Sequence, residues 1–455
     1  MREVYSGAVL TIAAANSPST QSGIFLSRRS AGTRVPIEWK DPENSEEHTT
    51  HVYLRPGSEL WDHSLQLSPL MGRGWTLQEG LLAPRTLSYG AQQMIWECSQ
   101  YQLDEGGRIT RASEDYRVKG FIQQLIQNEK RNAPSVRPQT FLSRLSLRPT
   151  PKQDEWWRAF SIAHPFEKWY DILREFTGRS LTKDFDVLPA LSGVARAFQN
   201  VFKSEYHAGI WKEDHVYSLL WARAPRYTSD SSSRFNPARP SEYLAPSWSW
   251  ASMLGKQVTL VFPSKIRDLL TKGSFDGAKI ISMTTVQKGP DPFGQVLSGE
   301  LKIRARFCML EDVPPAYSID REWPVDNHPP RPRGKSAWQH HVYQNLLLVD
   351  TRVYEFYQQH VPHPDQHFAV IEIVPWIGSP GSGVPGMDCL IVESTGRRKD
   401  EYRRVGKMEL RKEEVPNKDD LSEDAYNAIV LENQAYGEVM KDFTAKWKKR
   451  TITLI

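Results

Sequence analysis

The chain has 455 residues, of which 25% are charged and 39% hydrophobic, and its 58 basic and 54 acidic residues give a formal net charge of +4. These values are typical of a globular protein with room for two or three domains. A nearly balanced charge argues against a nucleic-acid partner, which a clustered basic excess would indicate. No apolar run reaches the roughly 20 residues of a membrane helix, so no membrane partner is expected either.

Cysteine usage points to a reducing compartment. The three cysteines, Cys98, Cys308 and Cys389, are odd in number and far apart. They form neither a disulfide framework nor a CxxC metal motif. The N-terminus also lacks the charged-then-apolar layout of a secretory signal. The sequence therefore predicts a cytoplasmic protein without a structural metal, and it leaves the oligomeric state open.

The first predicted domain covers residues 1–108. Met1, Val4 and Tyr5 have the spacing of one helical face, but only about one turn is present, and an isolated turn is not stable. The apolar run 7–15 predicts a buried strand. We therefore expect the chain to begin at the end of a helix whose body is missing.

A second helix is predicted further along this domain. Its apolar stripe includes Leu70, Leu81 and Leu82, and Pro84 ends it because a proline cannot continue a helix. Two short strands should follow, over 86–89 and 93–98, with a turn at Gly90 between them.

The remainder divides into a mainly helical region, 109–255, and a β-rich domain, 256–455. Helices are predicted over 169–176 and after Asp186, which is a candidate N-cap. Alternating apolar residues predict C-terminal strands, which we interpret as the core of a sandwich rather than a recognition surface. The predicted strands are 257–262, 301–307, 368–374, 389–393 and 402–406. Loops are predicted over 132–153, 228–241, 313–333 and 375–385, and a final helix over 422–447.

One segment resembles a known family. Residues 73–85 are similar to the third conserved block of fungal heterokaryon-incompatibility (HET) domains, and residues 93–98 to the strand after it. Further likenesses lie upstream at 4–14 and 23–25 and downstream at 186–193, 206–211 and 245–252, and a weaker one lies at 292–301. The residues that carry the family pattern are Arg73, Trp75, Thr76, Gln78, Glu79, Arg85, Trp96, Cys98, Pro246, Trp248 and Trp250.

The resemblance implies a fold and a function. HET domains are thought to resemble TIR domains, which have a parallel α/β sheet. The strands that normally open a HET domain are not in this sequence, so a truncated TIR-like portion is expected at 1–108. The implied role is fungal non-self recognition and cell-death signalling, through protein partners of an incompatibility system and without a cofactor. The alternatives are a TIR-like NAD-cleaving hydrolase and an inactive truncated family member.

Glu79 is the one candidate catalytic residue. Some TIR-like domains cleave NAD with a glutamate on a helix, which stabilises an oxocarbenium-like centre. The favoured interpretation is structural, with Glu79 paired to Arg73 or Arg85. Two histidine groups, at 48 and 51 and at 360, 363 and 367, are interpreted as surface residues rather than metal ligands.

The segment 246–251 is predicted to be a strand. Trp248 and Trp250 would then point to one face and the serines between them to the other. We expect the two indoles to seal a joint between helical and β-rich parts, with a ligand platform as the alternative.

Overall fold

The protein forms two compact units in a computed structural model. The first unit contains residues 1–147, 171–182 and 189–203, and the second contains 148–170, 183–188 and 204–455. The middle segment 109–255 contributes to both. The structure describes residues 1–25, 33–40, 47–54, 65, 68–91, 93–105, 107, 109–111, 114–130, 166–202, 204–223, 242–253, 260–261, 277–310, 346–348, 368–378, 385–411, 422–423, 427, 431 and 444–455.

A five-stranded sheet organises the first unit. Its strands are β1 (Thr11–Ala13), β4 (Arg85–Tyr89), β5 (Met94–Cys98), β6 (Tyr101–Asp104) and β7 (Ile109–Arg111), in that spatial order. β1 pairs with β4 in parallel, and the other neighbours pair antiparallel. One of the four described pairings in this sheet is parallel, so the expected TIR-like parallel sheet is not confirmed. A separate antiparallel hairpin joins β2 (Thr33–Lys40) and β3 (Glu47–Leu54).

The first unit contains the predicted helices and one further helix, Glu114–Lys130, that the sequence did not predict. α1 (Arg2–Gly7) and α2 (Gly74–Leu82) are both present, and α2 ends just before Pro84 as predicted. α3 (Glu114–Lys130) and α5 (Ser192–Phe202) pack against α2, and α4 (Glu167–Thr177) is shared with the second unit. α5 begins at Ser192, because two short 3-10 helices, Asp184–Asp186 and Pro189–Leu191, replace the single helix start expected at Asp186.

The strand predicted over 7–15 is shorter and more exposed than expected. Only Thr11–Ala13 is strand, and β1 lies at the edge of its sheet. Val9 and Ile12 are 80% and 59% exposed. An apolar run alone cannot separate a central strand from an edge strand, because the number of paired neighbours is a tertiary property.

A closed β-barrel forms the main part of the second unit. Its strands are β13 (Val296–Met309), β15 (Phe368–Gly378), β16 (Pro385–Ser394), β17 (Glu401–Arg411) and β18 (Lys448–Leu454). The ring closes because β13 pairs with both β15 and β18, and β17 pairs with both β16 and β18. The sandwich interpretation is therefore wrong, although the β-rich C-terminal part is confirmed.

Two further strands extend the barrel. β12 (Lys279–Gln287) pairs with β13, and β14 (Leu346–Leu348) pairs with β17. On β13, the buried residues Leu301, Ile303 and Ala305 alternate with the exposed Lys302 and Arg304. This alternation fills the barrel interior with apolar side chains, as a small barrel requires.

The rest of the second unit packs around aromatic side chains. Its elements are the hairpin of β8 (Tyr206–His207) and β9 (Ile210–Trp211), the short α6 (His215–Ser218), the strands β10 (Ala222–Arg223) and β11 (Leu260–Val261), and the 3-10 helices Lys212–Asp214 and Trp250–Met253. Tyr206 lies 5.0 Å from Trp211 and 5.1 Å from Phe293 between ring centroids. Trp169 lies 5.6 Å from Trp211.

The prediction of a strand at 246–251 is wrong, but both indoles are fully buried. The segment is a turn that leads into the 3-10 helix Trp250–Met253. Ser249 is buried as well, and its hydroxyl donates to the Ala208 carbonyl while Trp250 Nε1 donates to the Gly209 carbonyl. The segment therefore anchors the tip of the β8–β9 hairpin, and its buried indoles do not form an exposed ligand platform.

Several predicted elements fall outside the described residues. These are the loops 132–153, 228–241 and 313–333, and most of the helix 422–447. The loop predicted over 375–385 is wrong at its start, because residues 375–378 belong to β15. The described helices are too short or too polar to cross a membrane.

The hairpin anchor predicts a large effect at Trp250. Ala208 and Gly209 have φ values of +46° and +94°, as a two-residue hairpin turn of type I′ requires. Trp250→Ala removes a buried indole, so we expect the unfolding free energy to fall by about 3–5 kcal/mol. Gly209→Ala should also destabilise, because its Cβ would collide with the Trp250 indole. Thermal unfolding of both variants tests this, and an unchanged melting temperature for Trp250→Ala would contradict it.

Asp214 predicts a pH-dependent stability. The Tyr170 hydroxyl donates to Asp214 and lies 2.8 Å from Ser218 Oγ. Burial raises the pKa of Asp214 from 3.8 to about 7, and the Tyr170 hydrogen bond only partly opposes this. Between these two values the unfolded chain loses a proton that the folded chain keeps. This group therefore stabilises the fold fully below pH 3.8, and that stability is lost as the pH rises to about 7.

The Asp214 effect is measured as a difference. Asp214→Asn does not titrate, so its melting temperature minus that of the unmodified chain should increase from pH 4 to pH 7. Asp184→Asn, at an exposed position, is the control and should show no such trend. A constant difference for Asp214→Asn would show that the carboxyl group keeps its ordinary pKa.

Candidate functional site

The N-terminal end of α2 is held by residues distant in sequence. The Gly74 amide donates to the Ser180 carbonyl at 2.7 Å, and the Ser180 amide donates to the Gly72 carbonyl at 2.7 Å. A side chain at Gly74 would collide with Leu181. Close packing between α2 and residues 180–181 therefore favours glycine here, because a larger residue would displace the Leu181 side chain.

Thr76 organises the loop that precedes α2. Its hydroxyl lies 2.8 Å from the Leu70 carbonyl and 2.7 Å from the Arg73 carbonyl. Arg179 Nη1 donates to the same hydroxyl at 3.0 Å. The Thr and the loop before it are thus fixed to residue 179, which lies after α4.

Gln78 supplies a cap for another helix. Its side chain is fully buried, and its Oε1 accepts a hydrogen bond from the Gly193 amide at 2.6 Å, in the first turn of α5. The first amides of a helix have no intrahelical acceptor, so this contact satisfies one of them. Gln78 Nε2 has no hydrogen-bond partner among the described atoms.

The C-terminal end of α2 is capped by α3. Gln123 Nε2 donates to the carbonyls of Leu81 and Leu82 at 2.8 and 2.9 Å. One turn earlier on α3, the buried Lys119 donates to Thr86 Oγ1 at 3.0 Å and to Glu97 at 3.1 Å, which joins α3 to β4 and β5. These polar bridges fix both the helix and the sheet against α3.

Glu79 contacts α1 rather than an arginine. Its carboxylate accepts a hydrogen bond from the Tyr5 hydroxyl, and the pKa of Tyr5 is raised by burial and then by this charge. No described ion pair joins Glu79 to Arg73 or Arg85. Arg85 instead donates to the Val9 carbonyl at 3.3 Å. The expected arginine pairing of Glu79 is therefore wrong, although its contact is still one between two elements of the scaffold.

The other family-pattern residues do not complete a catalytic site around Glu79. Trp75, on α2, and Trp96 and Cys98, on β5, are half-buried. Pro246, Trp248 and Trp250 belong to the second unit.

No group of three or more metal-ligating side chains occurs in the described parts of the chain. His48 and His51 are exposed on β3, and His48 lies 5.0 Å from the Trp39 ring. The histidines at 360, 363 and 367 lie outside the described residues.

Sequence reasoning missed the partners of the motif. Tyr5, Lys119, Gln123 and Gly193 all contact α2 or its neighbouring strands. The helical periodicity of α3 places Lys119 and Gln123 one turn apart on one face, but nothing local shows which carbonyls they reach.

The comparisons with known proteins agree with the motif. The family model described as Heterokaryon incompatibility protein (HET) matches residues 1–79, which include α1, β1 and most of α2. Comparison with curated proteins and with solved structures gave no match. Over residues 1–79 the chain is therefore similar to HET domains. Arg85, Trp96, Cys98 and the segment 246–251 lie beyond the matched residues, so their place in the pattern rests on resemblance.

The buried cap predicts a strong effect at Gln78. Gln78→Ala leaves the Gly193 amide without its acceptor and opens a cavity under α5, so we expect a loss of about 2–3 kcal/mol. Urea unfolding measures this loss. Gln100→Ala, at an exposed position after β5, is the matched control and should change stability by less than about 0.5 kcal/mol. Equal effects of the two substitutions would contradict the capping role.

Proposed function

We propose that this HET-domain protein acts in fungal non-self recognition and cell-death signalling as an interaction module. Its partners are proteins of an incompatibility system, and it needs no cofactor. It works in the cytoplasm, without nucleic-acid or membrane partners. The family match at residues 1–79 supports this role.

One observation favours an interaction module over an enzyme. Three polar residues of the HET motif form hydrogen bonds within the protein: Thr76 with the loop before α2, Gln78 with α5 and Glu79 with Tyr5. A catalytic carboxylate needs an open approach to substrate and neighbours that act on the reacting group. The contacts of Glu79 are those of a residue that holds α1 against α2.

The NAD-cleaving alternative makes a different prediction for Glu79. In the proposed role, Glu79→Gln and Tyr5→Phe each weaken the same half-buried hydrogen bond, so both should lower the unfolding free energy by about 1 kcal/mol. Neither the unmodified chain nor either variant should release nicotinamide from NAD, as followed by chromatography. Nicotinamide release that persists in Tyr5→Phe and disappears in Glu79→Gln would establish the hydrolase instead.

The biological role is tested in fungal cells. Inducible expression of the full chain should arrest growth, and Glu79→Gln should still do so. Gln78→Ala should reduce the arrest in proportion to its loss of folded protein, whereas Gln100→Ala should not. Normal growth with abundant folded protein would contradict the proposed role, and arrest that requires Glu79 together with NAD loss would favour the hydrolase.

A further inference from the structure

The outer face of the barrel carries an unbalanced positive charge. We call the solvent-facing side of β12, β13 and β18 the basic face. In the strand register Lys279 lies opposite Arg304, and Ser282 lies opposite Lys302. Across the other edge of β13, Arg304 lies opposite Thr451 and Lys302 opposite Thr453. Directly opposed residues point to the same side of a sheet. The exposed bases of this face are Lys279, Lys302, Arg304 and Lys449.

A basic turn adjoins this face. Arg397, Arg398 and Lys399 are consecutive and exposed in the turn between β16 and β17. Arg398 lies 3.7 Å from Glu300, which is on the basic face opposite Thr284. This contact brings the turn and the basic face together.

The basic turn is held in one conformation. Thr395 Oγ1 donates to Glu401 at 2.6 Å, and the Arg397 amide donates to Thr395 Oγ1 at 3.3 Å. At the far end of the turn, the Thr453 amide of β18 donates to the Asp400 carbonyl at 2.9 Å. The three basic residues therefore extend from a fixed backbone. Because the turn is already ordered, it loses less conformational entropy when a partner binds.

Few acidic side chains offset these bases. Glu300 is half exposed and contacts Arg398. Asp400 forms an ion pair with Arg450. Lys279, Lys302 and Arg304 have no ion pair within the described part of the chain. The chain as a whole is nearly neutral, at 58 basic against 54 acidic residues. The positive charge of this region is thus a local excess that the net charge of the whole chain does not explain.

We propose that the basic face and the basic turn together form a docking surface for an acidic segment of a partner protein. Charge complementarity identifies the partner, since clustered carboxylates match clustered Lys and Arg. In an extended segment, every second side chain lies on the same face. This spacing matches that of Lys302 and Arg304 along β13. Ser282 and Thr453 lie directly opposite Lys302, and Thr451 lies opposite Arg304, so their hydroxyls can supply neutral hydrogen bonds to the carboxylates.

A polypeptide fits this surface better than a single-stranded nucleic acid. Stacking of bases on exposed aromatic side chains is the usual second element of single-strand recognition, and the described residues of the basic face include no aromatic side chain. The face instead presents Val286, which is 54% exposed and lies opposite Ser298. An apolar residue beside basic ones is typical of a protein interface. This inference does not depend on the family assignment, because it rests only on the second unit.

The test measures binding of a short fluorescein-labelled peptide, in which glutamate and serine alternate, to the full chain by fluorescence anisotropy. The unmodified chain should bind it, and binding should weaken as salt is raised. The double variant Lys302→Glu/Arg304→Glu should weaken binding by at least about tenfold, because repulsion replaces attraction. The neutral double variant Lys302→Gln/Arg304→Gln should weaken peptide binding less. It replaces the charge-reversal variant in the test if that variant does not fold.

A matched variant controls for overall charge. Arg174→Glu/Lys183→Glu changes the net charge equally at exposed positions of other elements, and it should leave the affinity within about twofold. Equal weakening by the two double variants, or no binding by the unmodified chain, would overturn the proposal. Tighter binding of an oligouridylate of the same length, weakened by the same substitutions, would overturn it in favour of a nucleic-acid partner.

Discussion

Helix α2 is stable only because segments far away in sequence satisfy its backbone. It has nine residues, fewer than the roughly 12–15 at which an isolated helix becomes even marginally stable. Its first amide reaches Ser180, and its last carbonyls reach Gln123. The apolar residues on its other faces are buried against α3 and α5. The arrangement of the first unit follows from this requirement, since residues 171–182 and 189–203 must return to cover α2.

The same physical solution recurs in the second unit. Polar groups of one segment satisfy backbone groups of another: Ser249 and Trp250 bind the carbonyls at the β8–β9 turn, and Trp221 Nε1 donates to the Trp248 carbonyl at 3.1 Å. A buried backbone group without a partner costs about 1–3 kcal/mol. The aromatic and amide residues that look like a family signature therefore serve here to pair distant backbone groups, which explains why they are buried instead of lining an open site.

Charge is distributed differently inside and outside the barrel wall. Where ionic groups are buried, they are paired across strands: Lys407 lies 3.2 Å from Asp388, and both side chains are buried. Such pairs are retained because removing one partner leaves an uncompensated buried charge. Lys279, Lys302 and Arg304 on the outer face are exposed to water and have no ion pair within the described part of the chain. That freedom leaves them available to an external anion, which is the physical basis for assigning a docking role to the basic face and none to the interior pairs.

The sequence by itself determined the elements whose signal is local. Periodicity and Pro84 predicted α2 and its end, local apolar patterns predicted β4, β5 and the barrel strands β13, β15, β16 and β17, and the motif at residues 73–85 indicated the resemblance to HET domains. Only the tertiary structure decided which groups meet. The edge position of β1, the closure of a barrel and the Tyr5 partner of Glu79 each depend on segments that no local window contains. The segment 246–251 shows the reason most clearly, because its Ser-Trp alternation matches a strand. It forms a turn instead, in which Ser249 and Trp250 donate hydrogen bonds to the backbone carbonyls of residues 208 and 209.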